Sequence, residues 1–97
     1  MVIVNLQLKI KAGKRQAFLD WFNGALPDTR NYDGCSEVNL CFLAAEPEAV
    51  DVISKWVSQE KYDAYLAWRE EDGTLTKLGE FVSEEPAFRF LTVDRQF

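Results

Sequence analysis

The sequence predicts an α+β domain whose elements run β-α-β-β-α-β and build one four-stranded antiparallel sheet. Three observations carry the prediction. Residues 2–10 alternate with period two, residues 18–26 and 62–69 space their apolar side chains as helices do, and the β-branched runs between them are bounded by turn formers. With 97 residues, 47% hydrophobic and 28% charged, the chain has the balance of one globular domain, read as 1–97.

The first strand is "VIVNLQLKI". Val2, Val4, Leu6, Leu8 and Ile10 share one side, while Ile3, Asn5, Gln7 and Lys9 share the other. After the turn at "KAGK", Phe18, Trp21, Phe22, Ala25 and Leu26 fall at i, i+3, i+4, i+7 and i+8, which predicts a helix ending near Pro27. "PDTRNYDG" then reads as a turn, with Asp33-Gly34 its strongest break. "CSEVNLCFLAA" sets Val38, Leu40 and Phe42 against Glu37, Asn39 and Cys41 as a second strand, and "EPEA" is expected to connect it tightly to a third, "VDVISKWV". Ser58 is placed to cap a second helix on which Tyr62, Tyr65, Leu66 and the stem of Arg69 share a face. A shorter helical pattern (Leu75, Leu78, Phe81, Val82) follows Gly73, and "AFRFLTV" after Pro86 reads as the fourth strand. This order is the ferredoxin-like split βαβ arrangement.

Composition excludes several kinds of function. The chain has no histidine, which removes Ser-His and Cys-His nucleophile pairs and the usual general base near neutral pH. Without a CxxC motif, zinc and haem-histidine ligation also lack their residues. Cys35 and Cys41, on one strand, stand about 20 Å apart at ~3.3 Å per residue and cannot bridge; they read as small buried hydrophobes. A net charge of −5 repels phosphate backbones and anionic lipid surfaces, so neither nucleic acid nor membrane is expected as a partner. "MVIVNLQLKIKAGK" lacks the plan of a signal peptide, and the protein is expected in the cytoplasm.

In this topology both main helices cover one side of the sheet, leaving the other to water or a partner. The Ile3, Asn5, Gln7, Lys9 side is too polar for a dry core and too apolar for free solvent. Such a surface suits a partly wet cavity roofed by the sheet of a second copy, so a homodimer is expected.

Three local features occur in order along nearly the whole chain: "KIKAGK" closing the first strand, Gly34-Cys35 opening the second, and Trp56-Val57-Ser58 with Glu60 starting an acidic helix. Together they resemble the antibiotic biosynthesis monooxygenase family of dimeric α+β barrels, which includes small quinol monooxygenases; "YDAYLAWREEDG" resembles a subgroup of it. The resemblance implies a homodimer with facing sheets and, in each subunit, a pocket between sheet and helices. It implies oxygenation of a phenolic, quinol or anthrone-like substrate with O2 as co-substrate and no metal or flavin cofactor. Some relatives degrade haem through a helix histidine, a strand-one Asn and the Trp of the Trp-x-Ser motif. Trp56 matches that Trp, Asn5 lies one residue from that Asn, and nothing matches the histidine, which argues against haem degradation.

Cofactor-free oxygenation asks the protein to stabilise a substrate anion and align it with O2. The candidate groups are Arg69 as the cation facing the substrate oxyanion, Trp56 and Asn5 as orienting donors, and Tyr65 as proton carrier. Gln7, Asn39 and Tyr62 are candidate substrate-binding groups. Against these stand plainer roles: Tyr62 and Tyr65 as packing aromatics, Arg69 as a surface partner of Glu70, Glu71 or Asp72, and Trp21 and Trp68 as core or dimer contacts. Two further functions fit the same fold, a non-catalytic dimeric ligand-binding protein and a cyclase or isomerase of polyketide-like rings.

Overall fold

The computed structural model describes residues 1–97. The strands are β1 (Val2–Lys9), β2 (Cys35–Leu43), β3 (Glu46–Trp56) and β4 (Ala87–Thr92); the helices are α1 (Arg15–Arg30), α2 (Gln59–Glu71) and the short α3 (Thr74–Gly79). The sheet order is β2-β3-β1-β4, antiparallel throughout. The predicted α+β, ferredoxin-like order is the observed one.

The register fixes the two faces. Val38, Ser54, Val4 and Phe90 form one cross-strand row, and Leu40, Val52, Leu6 and Phe88 the next; both lie under the helices. Rows of the opposite face read Asn39, Ile53, Asn5, Arg89 and Cys41, Asp51, Gln7, Ala87. The period-two pattern of β1 therefore separates a buried side from an open one as expected.

Two boundaries differ from the sequence expectation. Helix α1 runs through Pro27 to Arg30. A proline removes one intrahelical donor, but here the last turn is held from outside: Thr29 is buried, and Arg30 Nη1 donates to the Cys35 carbonyl at 3.0 Å. Tertiary contacts outweigh the local break. Residues 46–49, expected as a connection, instead open β3, and Ala44-Ala45 make the turn. Pro47 is accommodated at the start of that strand, beside a register shift between Phe42 and Leu43, where no ladder donor is required of it.

The core has two parts. One gathers Leu8, Phe18, Phe22, Val50, Val52, Leu78 and Phe81 among others; the second is Val4, Cys35, Trp56 and Tyr62, with Tyr32, Tyr65 and Leu66 packed against it. Ser58 caps α2 as expected, its Oγ accepting from the Lys61 N–H at 3.3 Å. Gly34, at φ 96°, lets the β2 entry pass against the Lys61 side chain.

Candidate functional site

Where the two halves of the core meet, beneath the sheet, a cavity of about 40 Å³ remains. Its floor is Leu6, Val38, Val52, Ser54 and Phe88 from the sheet, and its roof comes from α1, α2 and α3. The lining is mostly hydrophobic, with polar atoms from Thr29, Ser54, Tyr62, Tyr65, Arg69 and Thr74.

Helical spacing on α2 brings Tyr62, Tyr65, Leu66 and Arg69 to this wall, as their shared face predicted. Trp56, fully buried at the end of β3, stands behind it. Its ring lies 5.2 Å from Tyr62, edge to face, and 5.1 Å from Tyr65. Its indole N–H donates to Ser54 Oγ at 2.8 Å, which meets the need of a buried indole for a partner.

Arg69 is 4% exposed, and all five of its N–H groups are engaged. Nε donates to the Tyr65 hydroxyl (3.1 Å), Nη1 to Asp72 and Thr74 (3.3 Å each), and Nη2 to the Ala25 carbonyl (2.7 Å) and Thr29 Oγ1 (3.0 Å). The guanidinium also lies 4.4 Å above the Trp68 ring. One cation thus ties α1, α2 and α3 together and presents charge, with no spare N–H, to the cavity. Arg69 pairs with Asp72, one of the partners the plainer reading named, but from a buried position in the cavity wall and not from the surface.

The Tyr65 and Thr29 hydroxyls are 2.6 Å apart. Each accepts from Arg69, and one donates to the other, which leaves one hydroxyl proton of the pair uncommitted. Tyr62 is held as a neutral phenol: burial first, then the nearby Tyr65 and Asp63, push its pKa well above the ordinary tyrosine value. It is suited to donate a hydrogen bond and unsuited to act as a base.

A family model for antibiotic biosynthesis monooxygenases matches residues 1–75. The chain belongs to the antibiotic biosynthesis monooxygenase family. Among solved structures it is similar to one described as an antibiotic biosynthesis monooxygenase (16% identity, 98% of this chain and 100% of that one, TM-score 0.87). It is also similar to a conserved protein from Methanosarcina mazei Go1 (17%, 93% and 89%, 0.85) and to Rv0793 from Mycobacterium tuberculosis (20%, 98% and 96%, 0.78). At these identities the likeness is one of fold. No curated protein sequence matches significantly.

Within this family fold the seven candidate residues divide by sheet face. Tyr62, Tyr65 and Arg69 line the cavity, and Trp56 packs behind the two tyrosines. Asn5, Gln7 and Asn39 do not join them: all three lie on the open face, Asn5 and Asn39 flanking Ile53 in one row. Asn5 Nδ2 donates to Asp51 at 3.4 Å, while its Oδ1 is buried without a partner. The expectation that one cavity uses both groups therefore gives way to two surfaces on opposite sides of the sheet, because residues of odd and even number on β1 cannot face the same way. Trp21, assigned to the core or a dimer contact, stacks on Phe81 at 5.3 Å and lines the cavity; Trp68 stacks on Tyr32 at 5.2 Å. Cys35 and Cys41 are both free thiols.

Sequence reasoning missed Thr29 and Ser54. Thr29 fell in a segment read as a turn. Ser54 is a lone hydroxyl in an apolar strand, and its position two residues from Trp56 was the available signal, since i and i+2 share a face.

Proposed function

We propose that the protein is a cofactor-independent monooxygenase of a small electron-rich aromatic substrate. The observation that carries this reading is the apolar, aromatic-walled cavity with phenol groups and a buried cation at its edge, in a chain of this family. Deprotonated phenols and anthrones transfer an electron to O2 directly. Recombination of the resulting pair gives a peroxide anion, which takes up a proton and loses water to leave a ring carbonyl. One oxygen atom enters the product and the other leaves as water. In this scheme the substrate binds as the anion formed in solution, the Arg69 charge stabilises it, Tyr62 orients the ring with Trp56 held behind it, and the free proton of the Tyr65–Thr29 pair, renewed from solvent, serves the peroxide. Asn5, Gln7 and Asn39 belong instead to the open face, which a second copy covers in a homodimer acting in the cytoplasm. Ile3, Ile53 and the exposed Leu91 share that face, and their apolar surface supports a cover there.

A second reading, a ligand-binding protein of the same fold without turnover, is favoured by the full engagement of the Arg69 donors and by the small cavity. A bicyclic substrate needs the roof to move. Oxygen uptake by metal-stripped protein with quinols, naphthols and anthrones, compared with autoxidation and with Trp56→Phe and Tyr62→Phe, separates the two. Uptake above background that drops at least tenfold in both variants supports the oxygenase; uptake at background with ligand still bound supports the binding protein.

A further inference from the structure

Ser54 is 5% exposed and sits in the row Val38, Ser54, Val4, Phe90, where every neighbour is apolar. A hydroxyl in such a place carries one proton to donate and lone pairs to accept. One lone pair takes the Trp56 indole N–H at 2.8 Å, and no protein acceptor is bonded to the hydroxyl proton. Ser54 lines the cavity floor. On the roof, from α2, is Tyr62, whose hydroxyl likewise bonds nothing in the protein. At the cationic end every Arg69 donor is already taken, and only one hydroxyl proton of the Tyr65–Thr29 pair is free. The donors left for a ligand are therefore that proton, the Tyr62 hydroxyl and the Ser54 hydroxyl, of which Ser54 alone stands in an all-apolar cross-strand row.

We propose that Ser54, fixed by the Trp56 indole, donates its hydroxyl proton to an oxygen acceptor attached to an aromatic ring, and so selects aryl ketones and phenolates over the corresponding hydrocarbons. This rests on the reading that the cavity takes a small aromatic ligand, and it moves oxygen recognition from Arg69 to the strand. The apolar row makes the selection sharp: a ligand without the oxygen leaves the Ser54 proton buried and unpaired, whereas a ligand with it closes the bond. Trp56 here acts through Ser54 as a positioning residue.

The test is an amide NMR titration of the protein with acetophenone and with ethylbenzene, two rings of similar size that differ in the oxygen. In the wild type, acetophenone should bind about tenfold more tightly and shift the Ser54 and Tyr62 amides. Ser54→Ala should bring the affinity ratio near unity, and Ser54→Thr, which keeps the hydroxyl, should restore it. The Trp56→Phe/Ser54→Ala double variant removes the indole that the single change orphans, and it supplies the same comparison if Ser54→Ala does not fold. An unchanged ratio in these alanine variants, or equal binding of the two probes by the wild type, overturns the inference while the cavity reading stands. If neither probe shifts the Ser54 or Tyr62 amide, both fall.

Discussion

Arg69 and Ala25, 44 positions apart, meet through a 2.7 Å hydrogen bond from the guanidinium to a backbone carbonyl near the end of α1. That bond, with those to Thr29, Tyr65, Asp72 and Thr74, makes one side chain the joint of three helices. Lysine offers a single ammonium with a different shape and cannot span the same set. Arg69→Lys should cost roughly 2–3 kcal/mol, lowering the melting temperature by about 10–20 °C in a domain of this size. Thermal unfolding by circular dichroism checks this; a shift of only a degree or two would show that the network contributes little.

The Trp56–Ser54 bond is isolated from other polar partners, so its coupling can be measured cleanly. Ser54→Ala leaves a buried indole N–H unpaired and should cost about 1–3 kcal/mol. In the Trp56→Phe background the same change should cost less, since the orphan is gone. A double-mutant cycle by urea denaturation should return a coupling of about 1 kcal/mol. Additive costs would mean that the 2.8 Å contact carries no energy of its own.

Most of the fold was legible because its signals are periodic. Alternation in β1, the Ser58 cap and the Tyr62, Tyr65, Leu66, Arg69 face each follow from a local rule and each appears in the structure. Both boundary misses involve proline. At Pro27 and Pro47 a local penalty is offset by long-range pairing that no short window contains. The cavity was legible only by element: α2 supplied the residues that line it, while the choice between Asn5 and Ser54 as polar groups at the cavity turned on the face of each strand. Thr29 and the five-way bonding of Arg69 depend on where α1 crosses α2, which periodicity does not encode.

Stability should fall above about pH 9. Burial raises the pKa of Tyr62 and of the Cys35 thiol, while bonds to Glu46 and Asp33 raise those of Lys9 and Lys61. In each case the folded protein keeps a proton that the unfolded chain begins to lose at about pH 8.5 to 10.5. The unfolded state then binds fewer protons, so stability decreases as pH rises through that window. Asp72, lowered chiefly by the Thr74 hydroxyl bond, acts oppositely and withdraws its contribution as pH falls below about 4. Urea midpoints at pH 7.5 and 10.5 should differ less for Tyr62→Phe than for the wild type; equal losses would assign the alkaline decline to the lysines and Cys35.

Gly34 combines a φ of 96° with close approach to α2: an added Cβ would lie 2.6 Å from Lys61 Cβ and 2.7 Å from its Cγ. Gly34→Ala should therefore destabilise by about 1–3 kcal/mol. Trimming the partner to Lys61→Ala should not relieve the cost, because the nearest clashing atom is the Cβ that alanine retains. Lys61→Gly should relieve the steric part alone. Equilibrium unfolding of the two pairs of variants distinguishes strain in the backbone from collision with the helix.

The cavity's size sets a final expectation about its roof. About 40 Å³ is far less than the roughly 150 Å³ of an engineered apolar cavity that admits benzene. Leu75 lies on α3, a helix of six residues that follows Gly73 at φ 85°, and it is only partly buried. Leu75→Ala should thus open space at a modest cost of about 1–2 kcal/mol, below the usual range for a fully buried leucine. If aromatic ligands enter between α3 and the sheet, this variant should bind phenol several-fold more tightly than the wild type, since less of the roof must be displaced. The same change should leave the Trp56–Ser54 bond intact and keep any preference for an oxygen-bearing ring. Calorimetric titration with phenol checks the prediction: weaker binding by Leu75→Ala would mean that the leucine packs on the ligand, and that entry lies elsewhere along the wall.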